Sequence, residues 1–222
     1  MFPLLALVYG SLCHWAPLGP APSIDSIWYR AIDVRDLTGD GVPDTLILLA
    51  AGARIDSLRI TFDIRSQGRR LYHETWLSTW YFQYDAPIDS IAEPVKRTRV
   101  FHHLREFFRA ENYAVLDTAG AGKPWKPTEG DDDPRSTIAF NVRYEHVLDS
   151  LTQAHVAQDS AESLVRRYAL TAPIDTQYIV RAWQDLVRRR PMTFTFFSGG
   201  EDTRTIVWSA IVRRFVVVFS CC

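Results

Sequence analysis

The pattern of hydrophobic and polar positions predicts β-strands at both ends of the chain and helices between them. Residues 57–66 alternate between apolar and polar side chains, which is typical of a half-buried antiparallel strand. The apolar positions of this strand are Leu58, Ile60, Phe62 and Ile64. Residues 45–51 instead form an unbroken apolar run, which predicts a strand buried on both faces.

Residues 23–90 are predicted to form a β-meander. A first strand covers residues 23–34, and a later strand, rich in Tyr, Trp and Phe, covers residues 70–83. Residues 67–69 contain a glycine between two strand patterns and therefore predict a tight turn. With the strands at 45–51 and 57–66, these segments make a meander of about four strands.

The middle of the chain, residues 95–190, changes to helical periodicity. Residues 95–112 place bulky apolar side chains on one helical face and Arg and Glu side chains on the other. The apolar face consists of Val100, Phe101, Leu104, Phe107 and Phe108. This pattern predicts a helix that packs against the sheet through its phenylalanines.

Further helices are predicted after a loop at residues 118–134 that is rich in Gly, Pro and Asp. The last two residues of the loop, Asp and Pro, are typical of a helix start. Residues 136–151 begin with a strand-like alternation but continue with helical spacing, and we predict a helix. Residues 160–170 form a short helix. Residues 175–190 form the clearest one, which ends in three arginines that suit the negative end of the helix dipole.

The tail returns to β-structure. Predicted strands lie at residues 192–197, 204–209 and 214–220, with a turn at 198–202. The predicted fold class is therefore α+β: an antiparallel sheet made of the N-terminal meander and a C-terminal hairpin at 191–222. Helices from the middle of the chain cover this sheet, and residues 23–222 form one domain.

Composition excludes some classes of partner. The 222 residues carry a formal net charge of −1, whereas a nucleic-acid binder is expected to be basic. Seven Trp, nine Tyr and twelve Phe make an aromatic content that suits β-rich packing. We therefore expect no nucleic-acid partner.

The N-terminus resembles an export signal. Residues 1–13 are apolar and are followed by sequence rich in Pro and Ala, which predicts a leader over residues 1–22 with processing near Ala21. An ordinary export signal has Lys or Arg before its apolar run and no proline directly after the cleavage point. Here no Lys or Arg precedes the run, and Pro22 follows the cleavage point. The run is too short to span a bilayer, so we expect no integral membrane span. The predicted location is secreted or periplasmic.

The cysteines form no disulfide framework and have no zinc spacing. Cys13 follows Leu12, where a lipoprotein signal needs a small residue, and this argues against a lipid anchor. Cys221 and Cys222 are adjacent, so they are free, bridge to another chain, or close a strained ring between themselves.

One loop has a candidate chemistry. Oxygen-bearing side chains occur at Asp36, Thr38, Asp40 and Asp44, and Gly41 lies where a loop around a cation turns sharply. Carboxylates this close repel one another unless a positive charge lies between them. Ca²⁺, which takes many oxygen ligands at flexible geometry, is the cation that this set favours.

The loop begins like an EF-hand, but Ile47 stands where that loop needs a bidentate Glu, and strands flank it rather than helices. It resembles the strand-flanked calcium loop of integrin-type propeller repeats, the FG-GAP or VCBS class of secreted proteins. That resemblance covers one loop, about a tenth of the chain, and no second copy occurs, so the propeller fold is not implied. It implies a bound Ca²⁺. Because the loop is a single strand-flanked site with no open catalytic partner, we expect the role of the ion to be structural.

The ligands that the resemblance implies are Asp36, Thr38, Asp40, Val42 through its carbonyl, and Asp44. The alternative is that the loop is only a polar hairpin turn, since Asp and Gly are common turn residues.

No other motif makes a catalytic set. His102 and Glu106 share a helical face but lack the order and the third ligand of a zinc helix. His73 and the following glutamate lie in a strand, so their side chains point to opposite faces. The acidic run at 131–133 is best explained as a solvated loop with a helix cap. The Ser-Gly-Gly-Glu-Asp segment that begins at Ser198 lacks the Gly-x-Ser-x-Gly pattern and predicts a hairpin.

The function expected from these features is an exported, calcium-stabilised binding or structural module for a protein or glycan ligand. The alternative is an exported hydrolase with a dispersed active site, in which His102, His103 or the acidic run lines a cleft formed by the helical middle and the loop at 118–134. A histidine that meets a buried carboxylate in such a cleft would favour the hydrolase.

Overall fold

Two antiparallel four-stranded sheets pack face to face, and helices cover the second sheet. The computed structural model describes residues 27–83, 87–118, 133–142, 175–200 and 202–221. The first sheet has the strand order β1-β2-β3-β4, with β1 at Ile27–Arg35, β2 at Asp44–Gly52, β3 at Arg59–Ser66 and β4 at Arg69–Leu77. It is the predicted N-terminal meander.

The second sheet differs from the prediction. Its strands are β5 at Tyr113–Val115, β6 at Met192–Gly199, β7 at Asp202–Ser209 and β8 at Arg214–Cys221, paired in that order. The C-terminal segment is thus a three-stranded meander rather than a hairpin, and it forms its own sheet with a short strand from the middle of the chain. The α+β class is as predicted, but the strands are divided between two sheets.

The helices are α1 at Glu93–Glu106, α2 at residues 134–142 and α3 at Thr176–Arg189. The carboxylate of Asp175 caps α3 by accepting hydrogen bonds from the main-chain N–H groups of Gln177 and Tyr178, at 2.9 and 3.1 Å. The start of α2 after Asp133 confirms the predicted helix start. The predicted leader, the rest of the helix predicted to residue 151, and the helix predicted at 160–170 lie outside the described residues.

The β3–β4 hairpin closes as its sequence predicts. Gln67 and Gly68 have φ values of 48° and 79°, the left-handed conformation that a two-residue turn requires between twisted strands. The prediction that β4 continues to residue 83 is wrong, because the chain turns into a 3-10 helix at Ser78–Phe82. Ser78 is fully buried, and its hydroxyl accepts a hydrogen bond from the N–H of Leu58 at 2.8 Å. This side-chain contact lies where the strand pairing of β4 ends, at Leu77.

The prediction that β2 is buried on both faces is also wrong. Leu46 and Leu48 are fully buried, whereas the alternate residues of the strand are only half-buried. On the outer face, the neighbouring strand β1 exposes 49% of Ile32 and 56% of Val34. No described helix lies over this face, so the apolar run of β2 is covered on its outer side only by side chains of the adjacent strands.

A first hydrophobic core lies between the two sheets and is closed at one side by α1. Phe62 of β3 is fully buried at its centre. Rings of Tyr72, Phe107, Phe108, Phe194 and Phe196 lie with centroids 5.0–6.2 Å from that of Phe62. These rings come from both sheets and from the end of α1, so this cluster joins the layers.

A second core lies on the other face of the second sheet. Ile179, Trp183 and Leu186 of α3 pack there with Val207 of β7 and with α2. The helices from the middle of the chain therefore do not cover one common face. α1 borders the space between the sheets, and α2 and α3 cover the outside of the second sheet.

Buried ions connect the layers. Lys96 of α1 and Asp56, in the turn between β2 and β3, are 7% and 5% exposed, and their Nζ and Oδ2 atoms are 2.8 Å apart. Hydrogen bonds from Arg54 and then Lys96 lower the pKa of Asp56 to about 2. Between the sheets, Arg204 of β7 pairs with Glu74 of β4.

Replacing Phe62 by alanine should lower the free energy of unfolding by about 3–5 kcal/mol, because a cavity would open at the centre of the ring cluster. Urea unfolding monitored by circular dichroism measures the change. Ile32→Ala, on the exposed face of the same sheet, should cost less than about 1 kcal/mol. Equal losses in the two variants would show that the first core is not the main source of stability.

The Asp56–Lys96 pair should respond to charge removal and to acid. Asp56→Asn leaves Lys96 buried without a counter-charge and should cost about 3–5 kcal/mol of unfolding free energy, whereas Asp56→Leu combined with Lys96→Met should recover much of that loss.

The pair should also make stability depend on pH. Because folding lowers the pKa of Asp56 from 3.8 to about 2, its contribution is present above pH 3.8 and is lost as the pH falls towards 2. Urea unfolding at pH 7 and during acid titration measures both effects; a double variant as unstable as Asp56→Asn would contradict the pairing.

Candidate metal loop and ligand groove

The acidic loop between β1 and β2 is organised around Asp36. Its carboxylate accepts hydrogen bonds from the main-chain N–H groups of Gly39, Asp40 and Gly41 at 2.7, 3.2 and 2.9 Å. The hydroxyl of Thr38 donates to the same carboxylate at 3.3 Å. Gly39 and Gly41 have φ values of 72° and 83°, which a residue with a Cβ rarely adopts. The loop therefore curls around one negative charge.

Asp44, the last of the predicted ligands, lies beneath the loop and is fully buried. Its Oδ2 accepts hydrogen bonds from the N–H groups of Leu37 and Thr38 at 2.8 and 2.9 Å. Its Oδ1 is buried and has no hydrogen-bond partner among the described residues. A buried carboxylate oxygen without a partner is costly, and a cation is the kind of group that satisfies it.

The five predicted ligand residues thus share one loop but do not all converge. Asp40 is exposed, and its Oδ1 accepts a hydrogen bond from the N–H of Val42 at 2.8 Å. No group of three or more His, Cys, Asp and Glu side chains that could hold a metal occurs in the described part of the chain. The donor chemistry, which consists only of hard oxygens, and the unpartnered oxygen of Asp44 fit Ca²⁺. The existing hydrogen bonds also close the loop as a turn.

The histidines of α1 occupy different environments. His103 is half-buried and stacks on the ring of Tyr81, with centroids 4.6 Å apart. It also contacts the ring of Phe197 at 4.9 Å, and the rings of Tyr81 and Phe197 contact each other at 5.8 Å. Burial, followed by the nearby His102 and Arg99, lowers the pKa of His103 to about 4, so its imidazole is neutral at pH 7. His102 is exposed, and neither imidazole pairs with a carboxylate of the described residues.

A histidine–carboxylate contact does occur, on the open outer face of the first sheet. The Nδ1 atom of His73 lies 2.8 Å from Oδ1 of Asp63, the residue directly opposite on β3. Glu74 points to the other face, as predicted. This site has no described cleft, and a cross-strand polar pair accounts for it. Sequence reasoning missed the contact because it depends on the β3–β4 register.

The remaining candidates have structural roles where the structure describes them. Asp133 caps α2 by accepting a hydrogen bond from the N–H of Arg135 at 2.8 Å; the two aspartates before it lie outside the described residues. Ser198 is buried, and its hydroxyl donates to the carboxylate of Asp202 at 2.9 Å across the predicted hairpin. Neither arrangement makes a nucleophile.

Two adjoining recesses run along α1. The larger, of about 530 Å³, is lined by Arg97, Thr98, Phe101, His102, Arg105 and Glu106. The smaller, of about 320 Å³, also includes His102 and Glu106 and extends past His103 to Thr195, Phe197 and Thr203 of the second sheet. We call the two together the α1 groove. The sequence predicts only an amphipathic helix here. The groove could not be predicted, because no local pattern indicates that β6 and β7 lie beside this helix.

The neutrality of His103 can be tested directly. Its imidazole proton signals, assigned by their disappearance in His103→Gln, should titrate with a midpoint near pH 4 in an NMR experiment. Since folding lowers this pKa from 6.5, the unfolded chain binds the proton first, and stability should fall as the pH drops from 6.5 towards 4. A midpoint near 6.5 would show that His103 is not packed against Tyr81 and Phe197 in solution.

Comparison with protein families, with curated proteins and with solved structures finds no match to this chain. Within the described ranges, no helix combines the length and the apolar character that crossing a bilayer requires.

Proposed function

We propose that this chain is an exported binding or structural module that is stabilised by one Ca²⁺ in the loop from Asp36 to Asp44. The observation that supports the ion best is the fully buried carboxylate of Asp44, whose Oδ1 has no partner in the described part of the chain. A cation beside this oxygen would satisfy it and would offset the repulsion among Asp36, Asp40 and Asp44.

The residues that would hold the ion are Asp36, Thr38, Asp40, Asp44 and the main-chain carbonyl of Val42. All offer oxygen, which Ca²⁺ prefers to nitrogen or sulfur. Asp36 already draws the loop together through three main-chain N–H groups, so part of the ordering that ion binding needs is present before the ion arrives.

A structural role for the ion follows from the place of the loop in the fold. Leu37, inside the loop, is 1% exposed and belongs to the core between the sheets. Asp44 is the first residue of β2 and pairs with Arg35, the last residue of β1. An ion that fixes this loop therefore fixes the β1–β2 register and the packing of Leu37.

Export is proposed from the leader-like sequence of residues 1–22, and it agrees with the ion. Extracellular and periplasmic calcium is abundant enough to fill sites of modest affinity. The ligand of the module is proposed to be a protein or a glycan.

Thermal melts of the full chain test the ion, measured with Ca²⁺ and with excess chelator. A metal that binds only the folded state stabilises it by about 2.7 kcal/mol at a hundredfold excess over its dissociation constant. Ca²⁺ should therefore raise the melting temperature by several degrees. Asp40→Ala should abolish the rise, since Asp40 is exposed and its removal leaves the core intact.

Asp89→Ala is the matched control, because Asp89 is also an exposed aspartate in a short turn, away from this loop. This variant should keep the full response to Ca²⁺. Identical melts with and without Ca²⁺ in the unaltered chain would reduce the loop to a hydrogen-bonded turn and would remove the calcium proposal.

A further inference from the structure

Two arginines of α1 flank an aromatic ring in the larger recess of the α1 groove. Arg97, Phe101 and Arg105 are spaced four residues apart and therefore lie on one helical face. The guanidinium carbon of each arginine is 6.0 Å from the centroid of the Phe101 ring. The ring is half-buried, and both arginines are exposed. They present two cations at the mouth of a recess of about 530 Å³.

Arg97 and Arg105 have no carboxylate partner in the described part of the chain. The nearby Arg109, in contrast, pairs with Glu106 and Glu111. The chain as a whole has a net charge of −1, so this positive region is a local feature and not part of a basic protein. Guanidinium groups that have no carboxylate partner favour binding of ligands that carry carboxylates or sulfate or phosphate esters.

The smaller recess has a different chemistry. Its wall includes the ring of Phe197 and the imidazole of His103, which is neutral at pH 7. The side chains of Thr195 and Thr203 belong to the same recess, as do Glu106 and Glu111, whose carboxylates pair with Arg109. Ring faces together with hydroxyls and carboxylates that can accept hydrogen bonds suit the apolar face and the hydroxyls of a sugar ring.

An extended peptide fits this place less well. Peptides that bind sheets usually add a strand to a free edge. Here β5 occupies the edge of β6 from Met192 to Phe194, and the N–H of Gly200, just after β6, donates a hydrogen bond to the carbonyl of Trp80 at 2.6 Å. His103 and Arg97 are six residues apart on α1, which corresponds to about 9 Å along the helix axis. A ligand that reaches both recesses is therefore longer than one sugar ring.

We propose that the α1 groove binds an acidic oligosaccharide, with Arg97 and Arg105 holding its carboxylate or sulfate groups and the smaller recess holding a neighbouring sugar ring. The inference rests on the proposed function only in taking the chain to be a binding module. It names the ligand class of that module and places the ligand away from the acidic loop.

Isothermal titration calorimetry of the full chain tests the proposal with a tetrasaccharide of glucuronic acid as the probe. The unaltered chain should bind it, and a neutral glucose tetrasaccharide should bind at least about tenfold more weakly. The variant Arg97→Ala/Arg105→Ala should weaken binding of the acidic probe by about tenfold or more, because both counter-charges are removed. Thr203→Val, which removes one hydroxyl at nearly constant volume, should weaken it several-fold.

Arg30→Ala/Arg59→Ala is the matched control, since it removes two exposed arginines from the outer face of the first sheet. This control should bind like the unaltered chain. The proposal is overturned if the acidic tetrasaccharide does not bind, if the Arg97/Arg105 variant binds it unchanged, or if hexaglutamate binds equally well. Titrations in Ca²⁺ and in chelator, with folding checked by circular dichroism, separate a failure of the groove from a failure of the calcium loop.

Discussion

The packing of Phe62 against rings from both sheets and from α1 is the contact on which the other features depend. Phe62 stands on the inner face of β3, and Phe194 and Phe196 face it from β6 at 5.3 Å. Phe107, just after α1, completes the contact at 5.0 Å. Because packed interiors allow little displacement, these rings fix the distance between the sheets and the position of the helix together.

Both proposed sites are extensions of this core. Leu37 anchors the acidic loop in this core. Packing therefore holds in place the main-chain N–H groups that donate hydrogen bonds to Asp36 and Asp44. At the α1 groove, Phe101 packs against the core, while Arg97 and Arg105 extend from the preceding and the following turn of α1. The polar atoms of each site are thus positioned by an apolar neighbour on the same element.

Local features of the fold were predictable because they depend on neighbouring residues alone. The alternation from Leu58 to Ile64, the turn at Gln67 and Gly68, and the cap of α3 by Asp175 are all set within a few positions of the sequence. The division into two sheets was not predictable in the same way. It depends on β5, a strand of three residues, Tyr113–Val115, that pairs with a partner almost eighty residues away.

The same distinction explains what was visible at the candidate sites. The acidic loop is contiguous, so its spacing could be read directly, although the burial of Asp44 could not. The His73–Asp63 contact could not be predicted from the sequence, because it depends on the register of β3 and β4. The α1 groove could not be predicted either, because it depends on how α1 packs against β6 and β7. The neighbour of His73 in the sequence is Glu74, but its contact is with Asp63 on the adjacent strand.

The partly buried ion pairs between the sheets illustrate how the register of a strand is fixed by residues distant in the sequence. Arg204 of β7 pairs with Glu74 of β4 and with Asp202, and Ser198 also donates a hydrogen bond to Asp202. Burial raises the pKa of Glu74, so the carboxylate is costly to hold here as an ion. A register shift of one residue in β7 would turn Arg204 towards the helices and leave Glu74 buried without its cation. The cluster therefore favours the observed register of β7 over one shifted by a residue, and in this register β7 contributes Thr203 to the groove beside α1.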